Sequence, residues 1–567
     1  MILPSSQPRN FILDLRQTLM GSMNQRERDC QNWRALYYTG AATDQDGPAI
    51  ANVIPSRINT QAGNLFSPDN LTFRLEYDFG IDDHVLQLTP HAGSYLSREL
   101  RDADADLEFG DAVHKALVEG CSFVQLGWEQ NSGGNDGDGN LTADVIGQSC
   151  VGVLNERAKS LDAQEAFMVS FAVPVETLRV WLKRYKNTDD PSKAFDDRGG
   201  DARSPDANEV TRVVLGLNQP IGSGSGGQAG FINLMPRPPY LPSSAGVGRQ
   251  MALDVIWLKD STQDKWVAVF VIEGTDTIGT DIWRNPLALG PNGHEAPELA
   301  KHHNLIYVNP FPVKGSFFGR SAIADMAEPQ SFIRRHAQGL DDILGKQEEP
   351  THVGFGAVNT PDVYMQAFRT RNGYVQESGP NAKVQPFKPD MPENLIPALE
   401  LASGWASDSA NQPPVVQGRG ESGVRAGAHA DTLMTAASAR ERRPAVRVLR
   451  QCGDMGNLAL EILRAKDGTQ IPDGQNGEFL LETLPDGFHV LANGYSASPI
   501  FAAEHERRLV EMLKAGAIGP EEFLDGLNPA GHDILRNALR KREEQHAEII
   551  KSLPPEDRVK LLSKSKR

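Results

Sequence analysis

A glycine-rich segment is the first candidate for chemistry in this sequence. Residues Gly222–Gly227 match the pattern G-x-G-x-x-G, in which backbone amides cradle the phosphates of a dinucleotide. That fold needs a helix to begin at the glycines, but the proline-rich stretch Phe231–Pro239 follows instead. A P-loop is also missing, because Gly345-Lys346 is followed by Gln347 and not by Ser or Thr. We therefore interpret the segment as a flexible loop.

Metal-ligating and nucleophilic residue types are present but scattered. His302-His303 precedes a predicted strand, where neighbouring side chains face opposite ways, so the pair is expected to divide between surface and core. Asp82-Asp83 and Asp341-Asp342 have no patterned carboxylates beside them and are interpreted as solvated faces. The cysteines form no C-x-x-C pair and are expected to be reduced thiols: Cys30, Cys121, Cys150 and Cys452. We expect no catalytic residue, no metal site and no cofactor, and hence no enzyme.

The charge balance limits how this chain can handle nucleic acid. Its 567 residues include 57 Lys or Arg and 74 Asp or Glu, which gives a formal net charge of −17. Attraction to phosphate is the sequence-independent part of nucleic-acid affinity, so the chain is not expected to grip DNA over its whole surface. No apolar run is long enough to span a membrane, and the N-terminus lacks a signal-peptide pattern. We expect the protein to mature in a cytoplasm.

The first half of the chain is predicted to mix helices with short strands. The first hundred residues have a helical pattern, with one helix over 52–65, and a helix over 109–119 runs into a strand over 121–128. Further strands are predicted at 211–217, 253–258, 265–273 and 305–308. Residues 131–139 and 196–229 contain few apolar side chains and are expected to be mobile loops. The predicted fold class is α+β.

The second half is predicted to be mainly helical, with one compact interruption. A helix over 321–348 carries one apolar stripe made of Phe332, Ile333, His336, Leu340, Ile343 and Leu344. A return helix follows over 390–411, with Leu395, Leu399 and Trp405 expected on one side. The remaining segments are a strand-bearing interruption over 349–389, a loop over 412–425, a long kinked helix over 426–466, a β section over 467–500 and a helical segment with a basic tail over 501–567.

The two helices predicted over 321–348 and 390–411 would form an antiparallel stalk with a small tip. In a single chain, the apolar stripe of this stalk would be exposed. Copies of the chain arranged in a closed ring would bury that stripe. In this order of elements the sequence resembles the portal protein of tailed bacteriophages. The resemblance is carried by Asn309–Ser321 leading into a helix with Gln330, by Asn52–Phe66, by Ala112–Trp128, and by Glu421–Gly427 with the helix after it. These segments together span most of residues 50–465.

The resemblance implies a portal-type subunit with named regions. The wing is residues 1–320 with the β section 467–500, and the stem is the pair of helices over 321–348 and 390–411. The clip is 349–389, the tunnel loop is 412–425, and the helical crown is 501–567. The implied assembly is a ring, usually a homododecamer, at the portal vertex of a virion capsid, after assembly in the host cytoplasm.

The resemblance also implies partners. These are the major capsid protein, the large terminase, a head-to-tail adaptor, and double-stranded DNA that passes through the channel without sequence recognition. Another ring-forming virion protein, such as a connector or tail hub, is the alternative. A DNA-processing enzyme, for example a nuclease with scattered carboxylates, is less favoured.

Two sets of residues are predicted to carry these functions. The tunnel-loop set, which would face the DNA, is Gln417, Arg419, Glu421 and Arg425. The clip set, which would dock terminase and adaptor, is Val353, Phe355, Tyr364, Phe368 and Arg369. Aromatic residues in so small a unit also commonly form its core. Arginines further along could touch DNA or pair with acidic residues of a neighbouring subunit, and both readings remain open for Arg440, Arg442, Arg443, Arg447 and Arg450.

Overall fold

The structure is a computed structural model that describes most of the chain. The described residues are 8–40, 51–68, 71–77, 83–130, 139–174, 250–272, 277–278, 285, 287–288, 296–348, 351–355, 383–387, 392–409, 427–472, 477–485, 487–493, 499–520, 523–524 and 541–542. They combine helices with small antiparallel sheets, so the predicted α+β class is confirmed. The predicted strand at 211–217, the loop 196–229 and residues 131–138 lie outside these ranges, while Gly139 begins a strand.

The helices within the described ranges are α1 Pro8–Thr39, α2 Ile54–Leu65, α3 Asp83–Asp102, α4 Ala105–Glu119, α5 Ala327–Glu348, α6 Leu395–Ser409, α7 Gly427–Lys466 and α8 Pro499–Lys514. The strands are β1 Phe73–Tyr77, β2 Ser122–Gln130, β3 Gly139–Gly147, β4 Val151–Val153, β5 Ala166–Pro174, β6 Gln250–Asp260, β7 Lys265–Ile272, β8 Thr277–Ile278, β9 Leu305–Val308, β10 Thr351–Phe355, β11 Lys383–Phe387, β12 Gln470–Pro472, β13 Glu478–Leu480 and β14 Phe488–Ala492.

A three-stranded antiparallel sheet in the order β3-β2-β9 lies at the centre of the largest core. Val124 and Leu126 of β2 join one hydrophobic cluster with the buried faces of α4 and α7, so both helices cover the same side of this sheet. Phe123 and Ile146 belong to a second cluster on the other side. Successive side chains of β2 therefore pack into different cores, as expected for a strand that is buried on both faces.

A second sheet, in the order β4-β5-β6-β7-β8, is covered by α1. Ile12 and Leu19 of α1 are fully buried against it. The helix is also fixed by charge, because the Arg16 Nε donates to Asp254 Oδ2 at 2.5 Å, and that carboxylate is completely buried in β6. Ser170 Oγ donates to the other carboxylate oxygen at 2.6 Å, so both oxygens of Asp254 have partners.

The prediction that the first hundred residues are helical is wrong at one place. Residues Phe73–Tyr77 form strand β1, which pairs antiparallel with β14 far along the chain. Phe73 and Leu75 are buried and Arg74 and Glu76 are exposed, the alternation typical of a strand with one face on a core. Five residues are too few for this period to outweigh the helical pattern on either side of them.

A buried ion pair joins α1 to the end of α4. Arg34 Nε donates to Glu119 Oε1 at 2.9 Å, and the Arg34 Nη2 donates to Ser149 Oγ at 2.7 Å. The backbone N–H of Gln148 donates to the second carboxylate oxygen of Glu119 at 3.0 Å. Burial lowers the pKa of Arg34, but the charge of Glu119, the other nearby charges and the hydrogen bond to Glu119 together more than offset this, and the pKa is raised overall. The four cysteines are buried and form no disulfide, as expected.

The junction after α4 holds the segment that leads to α5. Gly120 ends α4 with a φ of +115°, and a Cβ there would lie 2.6 Å from the carbonyl oxygen of Gly319. Ser321 Oγ then donates to the carbonyl oxygen of Val118 at 2.5 Å. Two positions that are distant in sequence are thus held in backbone contact, which fixes where the helical second half leaves the core.

Candidate functional site: the stem and its attachment

The two stem helices, α5 and α6, pack side by side and antiparallel. Phe332 near the start of α5 and Trp405 near the end of α6 have ring centroids 6.4 Å apart. A helix was predicted from residue 321, but the α-helix begins at Ala327. The difference arises because residues 322–325 form a 3-10 turn, which is capped by the Ser321 side chain accepting from the Ile323 N–H at 3.1 Å.

The stem ends in a pair of antiparallel strands. β10 follows α5 and β11 precedes α6, and Thr351 is paired with Phe387 at the end nearest the helices. Two of the five predicted clip residues lie in β10, with Val353 opposite Gln385 and Phe355 opposite Lys383. Tyr364, Phe368 and Arg369 lie outside the described residues. The order helix, strand pair, helix agrees with the predicted interruption, but the role of its side chains stays a prediction.

Gln330 attaches the first stem helix to the body of the protein. Its side chain is fully buried. The Oε1 atom accepts from the backbone N–H of Val53 at 3.1 Å, and the Nε2 atom donates to the carbonyl oxygen of Ala51 at 2.8 Å. Both backbone groups precede α2, whose first turn has no intrahelical partners for its N–H groups. One amide side chain therefore satisfies two backbone groups and joins α5 to α2.

Arg57 attaches the second stem helix to the same place. Its Nη1 donates to Ser407 Oγ at 2.5 Å and its Nη2 donates to the carbonyl oxygen of Ser403 at 3.2 Å. Only 6% of Arg57 is exposed. Sequence reasoning did not single out this residue. The available signal was an arginine on the apolar side of the 52–65 helix, because a buried charge needs a partner.

The outer surface of the stem is unusually apolar. In α6, Ala402 and Ala406 are buried, whereas Ile396, Leu401 and Trp405 are 51%, 54% and 49% exposed. Leu344 on α5 is 44% exposed. The expected grouping of Leu395, Leu399 and Trp405 on one side is wrong, because Leu395 is buried and Trp405 is not. Leu395 faces inward with the two alanines, but three other large apolar residues of α6 are about half exposed, which is not expected of a helix that packs only within its own chain.

The long helix α7 runs from Gly427 to Lys466 as one helix despite Pro444, Gly453 and Gly456. The glycines permit close packing, since a Cβ at Gly453 would lie 2.9 Å from the Val490 carbonyl oxygen and one at Gly456 would lie 2.7 Å from the Val490 side chain. They are therefore contact points for β14 rather than breaks between two helices.

A buried carboxyl group lies on α7 shortly before Pro444. Glu441 is 4% exposed, and its Oε2 accepts from Asn64 Nδ2 of α2 at 3.1 Å. Its Oε1 is buried without a hydrogen-bond partner in the described structure. Burial raises the pKa of Glu441 to about 7, and the bond from Asn64 lowers it only partly. Glu441 thus changes charge near neutral pH at the contact between α7 and α2.

The predicted DNA-facing residues Gln417, Arg419, Glu421 and Arg425 lie outside the described residues. Their grouping and their role stay predictions. Among the helix arginines, the side chain of Arg440 also falls outside the description. Four others are exposed on α7, namely Arg442, Arg443, Arg447 and Arg450.

In the part of the chain that the structure describes, no group of three or more His, Cys, Asp or Glu residues could hold a metal ion. His303 is buried with its ring edge-on to Phe167 and Trp266, while His302 is exposed, which divides the pair as expected. No helix among the described residues has the length and apolar character needed to cross a membrane.

Comparisons with known proteins give no family. No family model matches the chain, and no curated protein matches it. One of the solved structures with a detectable match is described as the neck of a native GTA particle computed with C12 symmetry. That match has 10% sequence identity and a TM-score of 0.34, and it covers 84% of this chain and 89% of the other. Neither the identity nor the TM-score is high enough to define a shared fold.

Proposed function

We propose that this chain is a portal protein: a ring-forming virion subunit at one capsid vertex that gives DNA a channel for packaging and ejection. Several of its own features support the proposal. The antiparallel stem ends in a strand pair, both stem helices are fixed to α2 through Gln330 and Arg57, and a long helix follows the predicted tunnel loop. This order is the one that the resemblance to portal proteins led us to expect.

The observation that carries the proposal is the large apolar side chains that the stem exposes. Ile396, Leu401, Trp405 and Leu344 expose large apolar side chains on two neighbouring helices. Clusters of exposed apolar residues commonly mark interaction surfaces. A stem surrounded by other stems would bury this face, and a head-to-tail arrangement of copies closes into a ring when the rotation permits.

The net negative charge of the chain suits a channel through which DNA moves better than a protein that binds DNA tightly. Each phosphate neutralised by Lys or Arg adds affinity for DNA, and affinity in a channel acts as friction on a moving duplex. A formal charge of −17 on every copy works against such affinity. In this proposal the tunnel-loop arginines touch the DNA backbone only transiently, without reading bases.

The tunnel loop is tested by replacing Arg419 and Arg425 together with Ala. We expect rings to form normally and DNA packaging or retention to change. The matched control is Arg157→Ala with Arg28→Ala, which removes two exposed arginines from other regions. Unchanged packaging in the loop variant would contradict the assigned role of these arginines.

The clip is tested by polar substitution of Val353, Phe355, Tyr364 and Phe368, and by Arg369→Ala. We expect binding of the large terminase and of the head-to-tail adaptor to weaken, while rings still form. Normal adaptor and terminase binding by folded variants would contradict the docking role.

The second candidate is another ring-forming virion protein, such as a connector or tail hub. The same exposed stem face favours a ring in either case, so partner binding separates the two. A portal must bind the large terminase during packaging, whereas a connector added later need not. We also propose that the chain is not an enzyme, and metal-dependent cleavage of DNA by the purified protein would contradict this.

A further inference from the structure

One face of α7 is exposed and strongly basic. This basic face consists of Arg442, Arg443, Val446, Arg447 and Arg450. The opposite side of the helix is buried, as Ala445, Val448 and Cys452 show. Val446, 37% exposed, lies among the arginines. An apolar side chain surrounded by charges is the usual composition of a protein interface, with an apolar centre and a polar rim.

A second exposed face has the same composition with the opposite charge. This acidic face consists of Asp104, Leu107, Glu108 and Asp111 at the start of α4 and Asp144 on β3. Leu107, at one side of these acidic residues, is 55% exposed. Burial, and then the nearby charges of Asp111 and Asp144, raise the pKa of Glu108. Exposed Arg101 and Asp102 lie at the edge of this face.

The two faces lie at opposite edges of one sheet. The sheet order is β3-β2-β9, and Asp144 belongs to the edge strand β3. At the other edge, Arg447 Nη1 donates to the carbonyl oxygen of Pro310, two residues after β9 ends. The width of the sheet, about 10 Å between its outer strands, separates the two faces within one chain. Complementary charges on two separate faces of one chain permit head-to-tail association.

We propose that the basic face of one copy docks on the acidic face of the next copy. The contact is heterologous, so repetition of it builds a ring or a filament rather than a closed pair. This inference rests on the proposed ring and adds a second interface, in the wing, to the contact between stems. Exposed Val446 and Leu107 favour a protein partner over DNA, since phosphate contacts need charge but no apolar centre.

The test uses two full-length variants that reverse one face each. Arg443→Glu with Arg447→Glu reverses the basic face, and Asp111→Lys with Asp144→Lys reverses the acidic face. We expect each variant to need at least about a hundredfold higher concentration for half-assembly, because two charge pairs are reversed at every interface. Arg28→Glu with Arg74→Glu makes the same change in net charge as the reversal of the basic face, but at exposed sites elsewhere. This control should assemble like the wild type.

Mixing the two variants separates a direct contact from damage to the fold. Each variant keeps one intact face, and the two reversed faces are complementary to each other, so a mixture should assemble into species in which the two chains alternate, as measured by native mass spectrometry. A chain that carries all four substitutions should assemble again, since its reversed faces are complementary. Variants that assemble like the wild type, or a mixture of folded variants that stays monomeric, would overturn the inference.

Two further outcomes distinguish the proposals. If Arg443→Glu with Arg447→Glu leaves assembly intact but reduces DNA retention, the basic face serves DNA and the inference is overturned while the ring proposal stands. If the wild-type chain never assembles, both proposals are overturned.

Discussion

The body and the stem of this protein bury their side chains in opposite ways. In the body, meaning α1–α4, α7 and the sheets they cover, most large apolar residues are inside, and buried ion pairs join the elements at Arg16–Asp254 and Arg34–Glu119. In the stem, α6 buries two alanines and exposes Leu401 and Trp405. The body is therefore complete as a single chain, and the stem is not.

This difference separates the stability of the single chain from the stability of the assembly. Substitutions in the body should lower the stability of each chain whether or not it is assembled. Substitutions on the outer face of the stem should leave the single chain intact and act only on association. The following changes test this division.

Replacing Ile396 and Leu401 with Asp should abolish ring assembly while the melting temperature of the single chain stays near the wild-type value. Burying the exposed half of each side chain contributes about 1 kcal/mol, and an unpaired buried carboxylate costs several more. Sedimentation velocity measures the assembled fraction. Leu491→Asp, a comparably exposed apolar position on β14, is the control and should assemble normally. Rings formed by the stem variant would show that this face is not an interface.

Glu119→Ala should destabilise every chain by about 3–5 kcal/mol, because it leaves Arg34 charged and buried without its carboxylate. Denaturant unfolding measures the loss. Glu99→Ala removes the partner of Arg98, which is largely exposed, and should cost less than about 1 kcal/mol. Similar losses in the two variants would mean that the Arg34–Glu119 pair does not stabilise the body.

Glu441 should make the body less stable as the pH rises through neutrality. Its pKa is about 7 when folded against an ordinary value of 4.5, so the unfolded chain releases its proton first and folding is favoured less as pH increases from about 5 to 8. The full loss is about 3 kcal/mol. Glu441→Gln should remove this dependence in unfolding measurements at pH 5 and pH 8. Parallel pH profiles for the two proteins would contradict the assignment.

Gln330→Ala should weaken the attachment between stem and body by about 1–3 kcal/mol, since it leaves the Val53 N–H and the Ala51 carbonyl buried without their partner. The effect should be visible in the unfolding free energy of the unassembled chain. The control is Gln338→Ala, which truncates the same residue type on the same helix. It should change the unfolding free energy by less than about 0.5 kcal/mol. Equal losses of unfolding free energy in the two variants would show that the two hydrogen bonds of Gln330 do not stabilise the attachment of the stem.

The sequence predicted long periodic elements better than contacts. The α+β class, the helices over 52–65 and 426–466 and the helix pair around a strand-bearing interruption follow from apolar spacing alone. Strand β1 was missed because it is short and its partner β14 is distant in sequence. Trp405 was misplaced because periodicity identifies an apolar side but not which neighbour covers it. Gln330 acts through backbone groups just before α2, and Arg57 of α2 acts through Ser403 and Ser407 of α6; the sequence pattern does not indicate these distant partners.

The central claim is that copies of this chain surround an axial channel. Electron micrographs of the purified full-length protein test it most directly. The proposal predicts rings, with a rotational symmetry near twelve, whose axial hole admits a DNA duplex and whose stems line that hole side by side. Monodisperse monomers at every concentration would contradict it.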